Sequence, residues 1–120
     1  MADLVRLEGL RHKGFHGVLP EERRDGQDFV VDAVLELDTF PAAVTDDLAK
    51  TVSYAELASR LVAVVGGEPV DLIETLAARL ADVALTYALV DAVTITVHKP
   101  QAPVGLPFTD VAVTIRRERS

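Results

Sequence analysis

FVVDAVLEL, residues 29–37, has the clearest pattern in this 120-residue sequence, because an apolar side chain occupies every second position. Successive side chains of a β-strand point to opposite faces of the sheet, so period two is typical of a strand with one buried face. The apolar set begins at Phe29 and ends at Leu37. The segment is therefore predicted to be a strand.

Three further segments show the same alternation. Residues 5–10 precede the first strand described, with Val5, Leu7 and Gly9 expected on one face, and residues 93–98 and 111–116 lie near the end of the sequence. Between the first two strands, GFHGVLPEERRDGQ, residues 14–27, is rich in glycine and charge. We expect these residues to form a surface loop, where functional side chains are common.

Two helices are predicted between the strand pairs. Ser53 followed by Glu56 forms a capping box, and helical spacing of apolar residues continues until the two glycines at 66–67. A second helix is expected from Asp71, as N-cap, to about Ala88, with Glu74 as its third residue. The order of elements is β-β-α-α-β-β.

This order predicts an α+β fold in a single domain, residues 1–120, with an antiparallel sheet and two helices on one of its faces. Such a sheet leaves its other face and both edges uncovered. Association with further copies of the chain covers the edges, and edge-to-edge pairing can close the sheets into a barrel. We therefore expect a homo-oligomer.

Composition excludes several kinds of partner and site. Twelve basic and 19 acidic residues give a net charge of −7, which disfavours nucleic acid and anionic membranes. Without cysteine there is no disulfide chemistry, and no leader or spanning segment is apparent, so a cytoplasmic protein is expected. His12 and His16 have a His-x-x-x-His spacing, which is weak evidence for a metal site outside a helix, and His98 lies on another strand; no metal site is predicted.

Four side chains each allow a functional and a structural interpretation. Glu74 could cap its helix or accept two parallel hydrogen bonds from a ligand. Glu22 lies in a charge run that by itself indicates only a solvated surface. Tyr54 could pack in the core or stack on a flat ligand. Lys99, before Pro100 at a strand end, is more commonly a surface lysine, although the proline stiffens its position.

Four parts of the sequence together resemble the dihydroneopterin aldolase family, and they span nearly the whole chain. They are GFHGVLPEER with GQDFVVD after it, TVSYAELA, LIETLAARLA and TITVHKPQAP. The resemblance implies the tunnelling fold, in which four subunits form a ring around a barrel and two rings commonly stack into an octamer. Active sites are then expected between neighbouring subunits, with a small-molecule pterin as substrate and no cofactor.

The resemblance also implies roles for individual residues. Glu22 is expected to contact the hydroxylated side chain of the substrate, and Glu74 to hold the amino and ring N–H groups of the pterin. Lys99 is expected to be the general acid/base. Tyr54 would come from the adjacent subunit and help to reprotonate the intermediate, and the backbone near three residues would complete the pterin pocket: Val52, Leu72 and Ile73.

The activity implied is retro-aldol cleavage of 7,8-dihydroneopterin in folate biosynthesis, giving 6-hydroxymethyl-7,8-dihydropterin and glycolaldehyde, with some 2′-epimerase activity to 7,8-dihydromonapterin. Two alternatives stay open. One is a 2′-epimerase of dihydroneopterin or its triphosphate without aldolase activity. The other is a non-catalytic ring protein that binds pterins. Residues 104–108 lie in the loop after Lys99, which differs in length among family members, so their role is not predicted.

Overall fold

One antiparallel sheet, with strand order β1-β2-β3-β4, organises the computed structural model, which describes residues 3–120. The strands are β1 Asp3–Gly14, β2 Gln27–Leu37, β3 Ala92–His98 and β4 Ala112–Glu118. The helices are α1 Pro20–Asp25, α2 Phe40–Thr45, α3 Tyr54–Val65 and α4 Ile73–Leu85, with a short 3₁₀ helix at Leu48–Lys50.

The predicted α+β fold is confirmed, with the two long helices packed on one face of the sheet. Alternate residues of β2 are buried against them, as the period-two pattern indicated. Leucines of α3 and α4 fill the opposite side of this core. The largest fully buried side chains include Phe29, Leu35, Leu37, Leu57, Leu61, Leu76, Leu80 and Ile95. Two short helices, α1 and α2, were not predicted.

A β-bulge corrects the pattern predicted for β1. The register with β2 shifts between Leu7 and Leu10, and Gly9 has a φ of 72°. That left-handed conformation suits glycine, and one extra residue in a strand moves the following side chain to the other face. Leu10 therefore packs against the core together with Val5 and Leu7, and the expected placement of Gly9 on that face was wrong.

The starts of the two long helices differ. Ser53 caps α3 as predicted, since its hydroxyl accepts a hydrogen bond from the Glu56 N–H (3.3 Å). The Glu56 carboxylate, expected to complete the capping box, instead accepts a hydrogen bond from the Tyr87 hydroxyl (2.8 Å). The N-cap of α4 is Leu72, which is extended, so the predicted cap at Asp71 was wrong. Arg23 holds the Asp71 carboxylate in an ion pair instead (2.5 Å). α4 also ends at Leu85, earlier than expected.

The sheet face opposite the helices carries many polar side chains, with Val30 and Val34 between them. The hydroxyls of Thr96 and Thr114 lie 2.9 Å apart, and Arg116 donates two hydrogen bonds to Glu36 (2.8 and 3.0 Å). β1 and β4 end the strand order, so each has one edge without a partner strand in the described chain. Within residues 3–120, no helix combines the length and apolarity needed to cross a membrane.

His16 joins the segment after β1 to the connection between α3 and α4. Its side chain is 1% exposed, its Nε2–H donates to the Val65 carbonyl (2.7 Å), and its Nδ1 accepts from the Val70 N–H (3.1 Å). Burial chiefly lowers the pKa of His16, and the positive charges of Arg23, Arg79 and Lys99 add to this, against the hydrogen bond to Val65. The ring is therefore buried in its neutral form.

This histidine predicts a loss of stability in mild acid. Below about pH 6.5 the unfolded chain binds a proton at this position while the folded chain resists it. We expect the free energy of unfolding, measured by urea titration, to fall as pH drops from about 6.5, with a slope approaching about 1.4 kcal/mol per pH unit from this group. His16→Gln should be less stable but lack this component; an equal slope in both proteins would contradict the prediction.

Candidate active site

Glu22 is buried, although its charged neighbours predicted a solvated position. The sequence from Pro20 forms α1, and Glu22 is the third residue of that helix, where its carboxylate accepts a hydrogen bond from the Leu19 N–H (3.2 Å). Only 7% of its surface is exposed. Arg23, next along the helix, points instead to the Gly17 carbonyl and Asp71. The short helix thus separates Glu22 from the rest of the charge run.

Gly17 makes room for this carboxylate. Its φ is 143°, and a Cβ at this position would lie 2.3 Å from the Glu22 carboxyl group. Such a distance is far inside van der Waals contact, so a larger residue would displace Glu22 or the backbone. The close approach explains why the chain has glycine at this point.

Lys99 reaches Glu22 from the end of β3. Its backbone N–H donates to the Val111 carbonyl (2.7 Å), and the conformation of Pro100 is restricted by its ring. Its ammonium lies 2.5 Å from Glu22 Oε2, and its side chain is 12% exposed. The interpretation of Lys99 as an ordinary surface lysine was therefore wrong.

The pair sits in a polar environment that favours the carboxylate. Burial raises the pKa of Glu22, but hydrogen bonds from Lys99, the Leu19 N–H and the Gln27 amide (3.0 Å) outweigh it and hold this pKa below its ordinary value. Glu22 is therefore ionised at neutral pH. The buried Oε1 of Gln27 has no partner among the described residues. Sequence reasoning did not single out Gln27, although it belongs to one of the segments that carry the family resemblance.

A cavity of about 460 Å³ opens beside the pair. The start of α4 contributes Leu72, Ile73 and Glu74, and both Leu72 and Glu74 are exposed. Glu74 is the second residue of the helix, and the described residues offer its carboxylate no ion pair. The full lining comprises Val18, Leu19, Glu22, Asp71, Leu72, Ile73, Glu74, Lys99, Ala102, Pro103, Val104 and Val111.

The structure thus brings together five of the seven predicted site residues. Two, Val52 and Tyr54, are not in this cavity: Val52 is buried in the core, and Tyr54, the first residue of α3, is 66% exposed. Sequence reasoning missed the apolar wall, which includes Val18 before α1 and Val104 and Val111 after Lys99. Spacing along the chain carried no signal for it, because tertiary contact joins these segments.

This arrangement combines two chemical capacities. Glu74 offers a carboxylate with both oxygens available, beside apolar side chains that can contact the faces of a flat ligand. At the other end, the Lys99 ammonium and the Glu22 carboxylate can donate and accept protons at a bound polar group. A planar heterocycle with N–H donors and a hydroxylated substituent fits both.

Comparison with known proteins agrees with these features. The FolB dihydroneopterin aldolase family model matches residues 5–116. The chain is 59% identical over 117 residues to the dihydroneopterin aldolase of Streptomyces coelicolor, covering 98% of both proteins. It is 44% identical over 119 residues to that of Bacillus subtilis, covering 98% of this chain and 99% of the relative.

A solved structure shows the same architecture. Escherichia coli dihydroneopterin aldolase in complex with neopterin superposes with a TM-score of 0.87 at 33% identity, covering 96% of this chain and 98% of the other. The fold, the motif positions and these full-length similarities agree. The chain belongs to the dihydroneopterin aldolase family.

Proposed function

We propose that this protein is a 7,8-dihydroneopterin aldolase of cytoplasmic folate biosynthesis. It cleaves its substrate to 6-hydroxymethyl-7,8-dihydropterin and glycolaldehyde. The observation that carries the proposal is the Lys99–Glu22 pair, 2.5 Å apart, at the wall of the cavity that also presents Glu74. A carbon–carbon lyase needs both a group that binds the ring and a group that moves protons at the side chain.

Glu74 binds the pterin ring. Its carboxylate accepts two parallel hydrogen bonds from the amino group and a ring N–H, a geometry that selects this edge of the heterocycle. Leu72 and Ile73 precede it, and their backbone completes the polar contacts while apolar side chains of the cavity contact the ring faces. The hydroxylated substituent then extends toward Glu22 and Lys99.

Lys99 and Glu22 carry out the proton transfers. Cleavage needs a base that removes the proton of the 2′-hydroxyl. Lys99 does so as the neutral amine, formed when its ammonium releases a proton to bound water, and it later returns a proton, while Glu22 holds the hydroxylated chain. The C1′–C2′ bond breaks with its electrons moving into the N5=C6 bond of the dihydropterin ring. Because the substrate is its own electron acceptor, this mechanism requires neither a metal ion nor a lysine Schiff base.

The site is completed by a second subunit. Tyr54 is exposed at the start of α3, and we propose that it and the segment at Val52 close the pocket of a neighbouring copy. Two unpaired sheet edges support a ring of four subunits around a barrel, and two such rings form an octamer. In this arrangement Tyr54 assists reprotonation of the intermediate.

A product assay tests the proposed activity. The purified protein is incubated with 7,8-dihydroneopterin, and chromatography measures 6-hydroxymethyl-7,8-dihydropterin, glycolaldehyde and 7,8-dihydromonapterin. We expect both cleavage products in equal amounts, with a smaller amount of the epimer. Epimer alone would identify a 2′-epimerase, and binding without either product would identify a pterin-binding protein; both results contradict the proposal.

A further inference from the structure

His98 lies between two carboxylates on the sheet face opposite the helices. Its Nε2 is 2.7 Å from Asp32 Oδ2, on β2, and its Nδ1 is 2.7 Å from Asp110 Oδ2, just before β4. Asp32 also accepts a hydrogen bond from the Gly9 N–H of the β1 bulge (2.8 Å). The imidazole thereby connects β3 to β2 and to the residue before β4, and through Asp32 to the bulge of β1. His98 directly precedes Lys99 in the sequence.

The cluster closes the loop that carries Lys99. Residues 99–111, here called the 99–111 loop, leave the sheet after His98 and return at Val111, whose carbonyl accepts from the Lys99 N–H. Residues 103–110 of this loop are exposed. The His98–Asp110 contact lies at its returning end, whereas Ala102, Pro103, Val104 and Val111 form part of the cavity wall.

Both contacts need the imidazole to carry two N–H groups. A neutral imidazole has one N–H donor, and its other nitrogen would present a lone pair to a carboxylate oxygen. Hydrogen bonds to Asp110 and Asp32 raise the pKa of His98 against the effect of burial. Within residues 3–120, the charged groups in contact with the ring are these two carboxylates. Its neighbours on β2, β3 and β4 are Val30, Thr96 and Ala112, which are uncharged.

We propose that His98 is a positioning residue: as an imidazolium held by Asp32 and Asp110, it anchors the 99–111 loop and thereby places Lys99 against Glu22. Protonation of His98 controls this anchor. Because the pKa of His98 is raised in the folded protein, the stabilisation that its protonated ring gives to the loop is complete below about pH 6.5. This stabilisation is lost as pH rises through the folded-state pKa of His98. The effect of His98 on catalysis rests on the proposed function, whereas its effect on the loop does not.

Hydrogen exchange of the wild-type protein and two variants tests the proposal. The amides to follow are those of Lys99, Ala102 and Val104, which donate to carbonyls within the loop. His98→Gln retains one amide donor group and can satisfy only one carboxylate. Asp110→Asn places an amide donor opposite Nδ1, so that a neutral ring can accept there and still donate to Asp32.

We expect His98→Gln to lower the protection factors of these amides by about tenfold at pH 6, the effect of losing one charge-assisted hydrogen bond. Wild-type protection should fall as pH rises through the folded-state pKa of His98, whereas Asp110→Asn should remain protected across that range. In the cleavage assay, His98→Gln should lower kcat by about tenfold and change KM by less than threefold, and Asp110→Asn should retain activity at high pH.

Unchanged protection in His98→Gln, or an equal pH dependence in Asp110→Asn and the wild type, would overturn the proposal. Circular dichroism of each variant establishes that it is folded, and the amides of α3 and α4 serve as an internal reference. If the wild-type protein shows the predicted exchange pattern but releases no glycolaldehyde, the anchor is supported and the proposed aldolase activity is not.

Discussion

Lys99→Ala is expected to lower kcat for 7,8-dihydroneopterin cleavage by about 10²-fold or more, the usual effect of removing a general acid/base. Neopterin affinity should change by no more than a few-fold, because Glu74 and the apolar wall remain in place. The substitution also removes the ion-pair partner of Glu22. The pKa of Glu22 should therefore be higher in the variant than in the wild type, because burial is then opposed by fewer hydrogen bonds. Steady-state kinetics measures the first effect, and carboxyl carbon NMR titration the last.

Lys13→Ala is the matched control for this experiment. Lys13 is exposed near the end of β1, where its ammonium lies over the ring of Phe15, and it does not line the cavity. It should retain wild-type kcat. Normal turnover in Lys99→Ala would remove Lys99 from the mechanism, whereas a large loss in both variants would point to a general effect of lysine removal.

Glu74→Ala is expected to raise the dissociation constant for neopterin by about 10²-fold. Two charge-assisted hydrogen bonds are lost together, and a net loss of about 3 kcal/mol corresponds to this factor. Isothermal titration calorimetry or pterin fluorescence measures the change. The fold should be little affected, because the Glu74 carboxylate is exposed and has no ion pair in the described chain.

Glu68→Ala provides the comparison for this second variant. Glu68 is an exposed carboxylate on the connection between α3 and α4, outside the cavity lining. Its removal should leave neopterin affinity unchanged. If Glu74→Ala instead lowers the urea midpoint while affinity per folded molecule is preserved, then Glu74 stabilises the start of α4 and does not bind the pterin.

The errors of sequence interpretation fall where tertiary contacts compete with local ones. Asp71 has the position and chemistry of a helix cap, yet Arg23 from a distant part of the chain binds it. Leu10 was expected on the wrong face because a bulge at Gly9 changes the count along β1. In the first case a distant side chain binds the predicted cap, and in the second a register shift in the pairing with β2 changes which side chains face the core.

Glu22 and Lys99 illustrate the same limit at the site. Each belongs to a motif of the family resemblance. However, the charge run around Glu22 does not indicate that it is buried, and neither does the position of Lys99 at a strand end. They become a pair because α1 directs Glu22 inward and β3 ends beside it. Gln27, five residues after Glu22, adds a hydrogen bond to its carboxylate. The apolar wall comes from other segments, and neither it nor the contact with Lys99 follows a spacing along the chain.

The order of the four strands and the two long helices, the buried face of β2 and the family resemblance follow from the amino-acid sequence. Period-two and helical patterns indicate which side chains are buried. The ion pair of Glu22 with Lys99 and the contact of His98 with Asp32 depend on groups far apart in the chain. Desolvation and charge pairing act through distances in space, so these properties exist only once the chain has folded.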